Sequence, residues 1–400
     1  MRVGDLDAFR GHFEPRALYF SRAFRLGRIP LLTFAITLAN LAVFLLASRQ
    51  GPIDAGVLID YGAKSGPLLH DLGQWWRLLS ANFVHRDWAH LGFNLFVLFH
   101  FGAAAENAYR RIDFVFIVLA AALGTTLLSY AMTDAISAGA SGIGYGMLGS
   151  AVVFGLKYRK ILPARYRGVL GGSVVPTVVV FLYIGWISSG VDNWGHVGGL
   201  LAGAFATSLF RPRLLGDPPS QRALIFHRLL PLALILAVVC LGGAVAGERL
   251  PRMVPVHSEA LGLSIEVPAG WQKRGELVLD NGMPSVGRAS LIAGARRREE
   301  PPDLDLALTS FVEREFVTKE EEGKLWDLEL GSLRFAHVAG EQGLSRDLRF
   351  RVDGTAMVVR IHLFARGPFV YSLVLVRPER LPGYEPIFDR IVESARLVRG

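Results

Sequence analysis

Up to about Gly247 the chain runs in long apolar stretches, and from Glu248 onward apolar and charged residues alternate every few positions. A helix that crosses a bilayer core needs about 20 mostly apolar residues. Residues 31–48 are uncharged and predict a first span; residues 89–105, without Asp, Glu, Lys or Arg, predict a second. Between Asp113 and Lys157 the only charge is Asp134, and between Arg167 and Arg211 the only charge is Asp192. Each of these stretches is long enough for a helical hairpin with its Asp near the turn. Residues 229–247 are apolar again and predict a seventh span. The result is an all-α polytopic bundle of six helices plus one, with a basic loop over 211–228 before the last.

The tail over 248–400 has another period. Residues 260–267 alternate and stop at Pro268, with Trp271 close behind, and 290–295, 324–339, 346–352, 356–364 and 369–376 read as further strands. The last two meet at the turn Arg366-Gly367-Pro368. Residues 304–318 and 384–397 have helical spacing. This order predicts a soluble α+β domain, an antiparallel sheet with helices on one face.

Composition sharpens the division. The chain of 400 residues is 51% apolar with a net charge of +8, and its mean hydropathy is +0.35. Lys and Arg number 21 against 12 Asp and Glu before Glu248, and 22 against 23 from Glu248 onward, so the excess belongs to the apolar half. That placement argues against a nucleic-acid partner, which wants basic residues on a folded soluble face. It fits the bias of Lys and Arg toward the cytoplasmic side of a membrane protein. With the N-terminus inside, the inner connections hold seventeen Lys and Arg, and the outer ones hold four: Arg49, Lys64, Arg77 and Arg86. An odd number of spans then puts the tail outside the cytoplasm. The arm over 1–30 is no cleavable signal, because its apolar core begins late and runs into further spans. Cys240 is the one cysteine, so no intramolecular disulfide and no thiolate metal cluster forms.

Polar side chains recur at one depth. The second, fourth and sixth spans all descend from the outer face, and just below their outer ends stand His90 with Asn94, Ser141, and His196. Polar groups in hydrocarbon are costly unless paired or facing a wet cavity, and their first reading is functional. His90 and Asn94, four apart, share a helix face. Gly142, Gly146 and Ser150 form one stripe of small residues, and Gly195, Gly199 and Gly203 form another. Such stripes let helices approach closely in lipid, and packing them together brings Ser141 and His196 to one level. A neutral imidazole beside a serine hydroxyl makes it a nucleophile, and the oxyanion formed on attack needs preplaced donors. The backbone N–H of Ser141, His90 and Asn94 are the candidates. Tyr145 is one turn below Ser141, where its ring can pack on the imidazole; His85 stands at the mouth, where it can hold water. Asp192, one turn above His196, is assigned to the outer loop, so the unit is a dyad. His100, deeper on the second span, reads as a bridge between helices. Each feature alone has a plainer meaning: G-x-S-G in an apolar helix is a packing motif, and a single His can merely join helices. Their combination on three descending helices favours chemistry.

These residues resemble the rhomboid family of intramembrane serine proteases. The resemblance covers about 74–209 and rests on Trp76-Arg77, on the string from His85 to Asn94, on Gly139-Ala140-Ser141-Gly142-Ile143-Gly144-Tyr145, and on His196-Val197-Gly198-Gly199 with Gly203. It implies a six-helix core with a hydrated cavity opening outward, Ser141 as nucleophile, His196 as general base, and His90 and Asn94 at the oxyanion. Gly139 and Gly142 are the supporting glycines. It further implies cleavage of membrane-anchored proteins near the outer surface, with the bilayer and transmembrane substrates as partners and no cofactor or metal. A seventh span occurs in the family's six-plus-one forms. An integral protein of a bacterial plasma (inner) membrane is expected. The alternative is a catalytically inactive relative that binds membrane helices; a transporter or receptor needs ionisable groups deeper in the bundle than this chain carries. The opening Leu-Ser-Ile-Glu-Val-Pro-Ala-Gly-Trp of the tail and its final strand and helix resemble Mog1/PsbP-like domains. His337 and His362 stand alone there, so the tail is expected to bind an extracytoplasmic partner or to gate the site.

Overall fold

The computed structural model describes residues 29–400 except 134, 161–170, 189, 214–220, 223, 226–228, 230–250, 276, 284–286, 299–302 and 399–400. The N-terminal arm up to residue 28, most of the basic loop and nearly all of the expected seventh span lie outside the described residues. The chain forms two units, one of Met1–Gly66 with Trp75–Ala246, the other of Pro67–Gln74 with Gly247–Gly400.

In the first unit, helices occupy all six of the remaining expected spans: α1 (Leu31–Ala47), then α5 (Trp88–Ala108), α6 (Arg111–Met132), α7 (Ser141–Lys157), α8 (Val175–Ile187) and α9 (Asn193–Leu209). Between α1 and α5 the long first loop folds into short helices α2 (Ala55–Asp60), α3 (Gly66–His70) and α4 (Arg77–Ser80). By length and apolarity alone, α5 and α6 are the two described helices able to cross a membrane; α1 and α8 are apolar but shorter. Helices α7 and α9 are 17 residues each, and the glycines that bring them together also lower their hydropathy.

Capping fixes where the site helices begin. Asp87 precedes α5 and accepts the His90 N–H at 2.8 Å, and Asp192 precedes α9 and accepts the Gly195 N–H at 2.8 Å. Each satisfies an amide that the first helical turn leaves without a partner. The bundle's interior is apolar, with Leu98, Phe114, Ile117, Met147, Leu148 and Phe154 almost fully buried. Its outside is apolar as well: Phe93, Phe96, Trp186, Ile187, Leu201 and Phe205 are each more than half exposed. A band of large exposed apolar side chains marks a surface suited to another apolar phase. His100 is exposed and stacks on Phe96 of its own helix at 6.0 Å, and among the described residues it bonds to no second helix, unlike the bridge its position suggested.

The second unit holds two antiparallel sheets. One is three-stranded in the order β1-β2-β10, from β1 (Met253–Ser258), β2 (Leu263–Pro268) and β10 (Arg396–Leu397). The other is seven-stranded, with β3 (Gln272–Lys273), β4 (Val278–Asp280), β5 (Ser290–Arg297), β9 (Phe369–Pro378), β8 (Thr355–Arg366), β7 (Glu341–Val352) and β6 (Trp326–Val338) in spatial order. Helix α10 (Leu304–Val312) packs Ala307, Leu308 and Val312 onto Leu348, Val359, Ile361 and Leu363. Helix α11 (Glu385–Ser394) lies on the other face, where Arg360 of β8 bonds Glu385 and Asp389. The expectation of helices on one face is therefore corrected. Successive strand side chains point to opposite faces, and β8 is apolar at Val359, Ile361 and Leu363 toward α10 while Arg360 and His362 face the other way.

Candidate active site

The site is assembled where α5, α7 and α9 begin. Helix α7 starts at Ser141, and α9 carries His196 in its first turn. His196 Nε2 lies 2.9 Å from Ser141 Oγ, a hydrogen-bond distance. The two residues meet because the backbones of their helices nearly touch. A Cβ on Gly199 would sit 2.1 Å from the Gly142 carbonyl oxygen, and one on Gly203 would sit 2.4 Å from that of Gly146. Helix α6 joins the same contact: a Cβ on Gly142 would collide with Thr125 at 2.1 Å, and one on Gly198 with the Gly124 carbonyl at 2.2 Å. The small-residue stripes thus meet as their spacing suggested, with α6 as a third participant through Gly124 and Thr125.

The Tyr145 ring stacks on the His196 imidazole, centroids 4.3 Å apart and planes 21° from parallel. His196 Nδ1 has no hydrogen-bond partner among the described residues. Asp192 does not orient the imidazole; it caps α9 and its Oδ2 accepts the Ser137 hydroxyl at 2.5 Å.

Gly139 holds φ +130°, a conformation that side-chain-bearing residues rarely adopt. A Cβ there would lie 2.7 Å from His90 Nε2 and 3.5 Å from Asn94 Nδ2, so both side chains converge just before Ser141. Asn94 is 2% exposed and its Nδ2 is a buried donor without a partner among the described residues. Buried polar groups are nearly always satisfied, and an exception asks for an explanation. His85 is fully buried, and its Nε2 accepts the Ala140 N–H at 3.3 Å, with its ring 5.0 Å from that of His90. The sequence placed His85 at an open mouth; it instead holds the backbone of the nucleophile loop.

Two residues that the sequence reading took for outer-loop charges are buried. Lys64 Nζ donates to Thr133 O at 2.6 Å and to Ser129 Oγ and Ala135 O at 3.1 Å each. Its backbone pairs in both directions with Ser137, at 2.8 and 2.9 Å. Arg77 donates from Nη1 to the carbonyls of Ile59 at 2.7 Å and Ala63 at 3.0 Å. A lone Lys among Gly62, Ala63, Ser65 and Gly66 was the available signal for Lys64. Counting charges by connection hid it.

Residues 72–213 match the Rhomboid domain model. The chain is 33% identical over 216 residues to the Rhomboid protease GluP of Bacillus subtilis, an alignment covering 54% of this chain and 40% of that protein. It is 30% identical to Rhomboid-like protease 1 of Toxoplasma gondii, covering 41% of this chain and 56% of that one. With the Rhomboid protease AarA of Providencia stuartii it shares 28% identity over 48% of this chain and 76% of that protein. The chain thus spans about half the length of the first two relatives. Among solved structures, cyanobacterial PsbP from Synechocystis sp. PCC 6803 aligns with 36% of this chain and 92% of its own at 14% identity, with a TM-score of 0.30.

Proposed function

We propose that the chain, whose residues 72–213 match the Rhomboid domain model, is an intramembrane serine endopeptidase acting through Ser141 and His196. The observation that carries the proposal is the 2.9 Å approach of the Ser141 hydroxyl to His196 Nε2 between two helices that touch through glycine.

In this reading the neutral imidazole carries its proton on Nδ1 and accepts the Ser141 hydroxyl proton at Nε2. Ser141 Oγ attacks the carbonyl carbon of a substrate peptide bond, and the carbonyl oxygen becomes an oxyanion. The Ser141 backbone N–H, His90 and Asn94 Nδ2 donate to it. The tetrahedral adduct collapses as His196 returns the proton to the leaving amine, and water, deprotonated by the same imidazole, hydrolyses the acyl ester. Among the described residues no acid bonds the base; the Tyr145 ring stacked on His196 limits its rotation instead. Gly139 keeps the space beside His90 and Asn94 open, and Gly142 keeps α7 close to α6.

The substrates are transmembrane proteins. A helix has every backbone group bonded internally, so the scissile bond must be presented from an unwound stretch. Small or helix-breaking residues near the membrane surface suit that need. The arginine and lysine distribution supports a cytoplasmic N-terminus and cleavage at the outer face, with the tail as an extracytoplasmic domain of a bacterial plasma-membrane protein. Reconstitution in lipid vesicles with a single-span substrate tests the proposal. The wild type cuts it and Ser141→Ala does not; equal cutting by both removes Ser141 from the reaction.

A further inference from the structure

The second unit contains a short piece of the first loop, and that piece is bound by chemistry too specific for idle contact. Pro67–Gln74 reads Pro-Leu-Leu-His-Asp-Leu-Gly-Gln. Leu68, Leu69 and Leu72 are at most 1% exposed, and so is Asp71. A carboxylate taken out of water is strongly destabilising unless donors surround it. Asp71 has them. His70 Nδ1 lies 2.7 Å from its Oδ1, and its Oδ2 accepts from Trp271 Nε1 at 3.1 Å and from the Tyr384 hydroxyl at 3.2 Å. The Tyr384 oxygen in turn accepts from Asn281 Nδ2 at 2.9 Å, which leaves its proton for Asp71. At Gly270 a Cβ would lie 2.4 Å from the His70 ring, so this position admits no side chain without rearrangement. A fully satisfied buried network fixes one arrangement, because every alternative strands a polar group.

The two ends of the segment run straight into the bonds that brace the nucleophile. Lys64, three residues before Pro67, pairs its backbone with Ser137; Arg77, three residues after Gln74, holds Ala63 and Ile59. Ser137 is four residues before Ser141 and bonds the cap of the helix that carries His196.

We propose that the C-terminal domain acts on the catalytic centre through the first loop, by gripping Pro67–Gln74 at Asp71 and so tightening the Lys64–Ser137 pair. The catalytic reading of Ser141 supplies the consequence for turnover, while the grip itself stands on contacts that involve neither dyad residue.

The test needs no protease activity. A site for a sequence-specific protease is inserted after Gly247 in the full chain, and the purified protein is cut in detergent. The freed domain is expected to co-elute with the membrane part, and to leave at least tenfold faster in Asp71→Ala. Tyr384→Phe, which keeps the ring and removes one donor, guards against misfolding of the alanine variant and is expected to release faster as well. Hydrogen exchange at the Lys64 and Ser137 amides is expected to quicken at least fivefold in both uncut variants. A wild-type domain that elutes free after the cut overturns the proposal, as do variants that release at the wild-type rate or leave those two amides equally protected. Cleavage in vesicles by Ser141→Ala at the wild-type rate would instead count against the dyad and leave the grip standing.

Discussion

The Ser137 hydroxyl donates to Asp192 Oδ2 at 2.5 Å, while Oδ1 of the same carboxylate caps α9 at the Gly195 amide. One side chain therefore fixes both the approach to the nucleophile and the first turn of the helix bearing the base. Asp192→Asn keeps a cap but turns an acceptor into a donor on one side, and Asp192→Ala removes both bonds. The alanine variant is expected to lose about 1 kcal/mol of stability, as capping losses do. Its kcat should fall several-fold with little change in KM, because the Ser141–His196 distance is altered and substrate binding is not. Steady-state kinetics in vesicles beside thermal unfolding in detergent separate the two effects.

The orphaned amide of Asn94 is explained if its partner is the oxyanion. Asn94→Ala should then lower kcat by about 10²- to 10³-fold, the usual effect of losing one such donor. His90→Ala should fall in the same range. Mutant kinetics that raise KM alone would assign both residues to substrate binding.

Gly199 is one of the points where the helices approach most tightly. Gly199→Ala places a methyl 2.1 Å from a backbone oxygen, and overpacking of that kind typically costs about 1–3 kcal/mol. Unfolding in mixed micelles should show the loss. Gly92→Ala, with nothing within 4 Å of the new methyl, serves as the comparison and should be near neutral.

His362 gives the C-terminal domain a pH dependence. Burial, with a smaller contribution from neighbouring Arg360, pushes its imidazole down to about 4 from an ordinary 6.5, and neither ring nitrogen has a hydrogen-bond partner among the described residues. Asp347 opposes the shift and Arg334 adds to it. The folded domain thus holds His362 neutral while the unfolded chain takes up a proton below pH about 6.5, so stability is full above that pH and is lost as pH falls toward 4. The loss is of order 3 kcal/mol. Melting curves of the full chain between pH 7 and 4 should show the slope for the domain transition, and His362→Leu should flatten it.

Asp71→Ala should also reduce turnover of a transmembrane substrate several-fold, through the Lys64–Ser137 pair. The change should appear in kcat.

What the sequence disclosed and what it hid follow from the range of each interaction. Helix positions came from runs of apolar residues, a local property, and helices lie at all six of the expected spans among the described residues, two of them long and apolar enough to cross a membrane. The convergence of Ser141, His196, His90 and Asn94 was legible because two periodicities of four, one of polar groups and one of glycines, had to be satisfied together. The alternating strands of the tail were legible for the same local reason, with the strand expected over 260–267 falling on β2; β1 (Met253–Ser258) was not expected, because Pro255 obscures its pattern. The faces taken by α10 and α11 were not legible, since both helices are amphipathic and only long-range pairing of Arg360 with Glu385 and Asp389 decides between them. Lys64 and Asp71 were hidden more deeply. Each looks like an ordinary loop charge until partners distant in sequence, Ser129 for the one and Trp271 and Tyr384 for the other, are brought to it.

The central claim is that Ser141 is made nucleophilic by His196. Mass spectrometry of the full-length protein after reaction with a fluorophosphonate tests it most directly. A single adduct on Ser141, absent from Ser141→Ala and formed at least a thousandfold more slowly in His196→Ala, is the predicted result. An adduct on another residue, or labelling of Ser141 at an undiminished rate without His196, would contradict it.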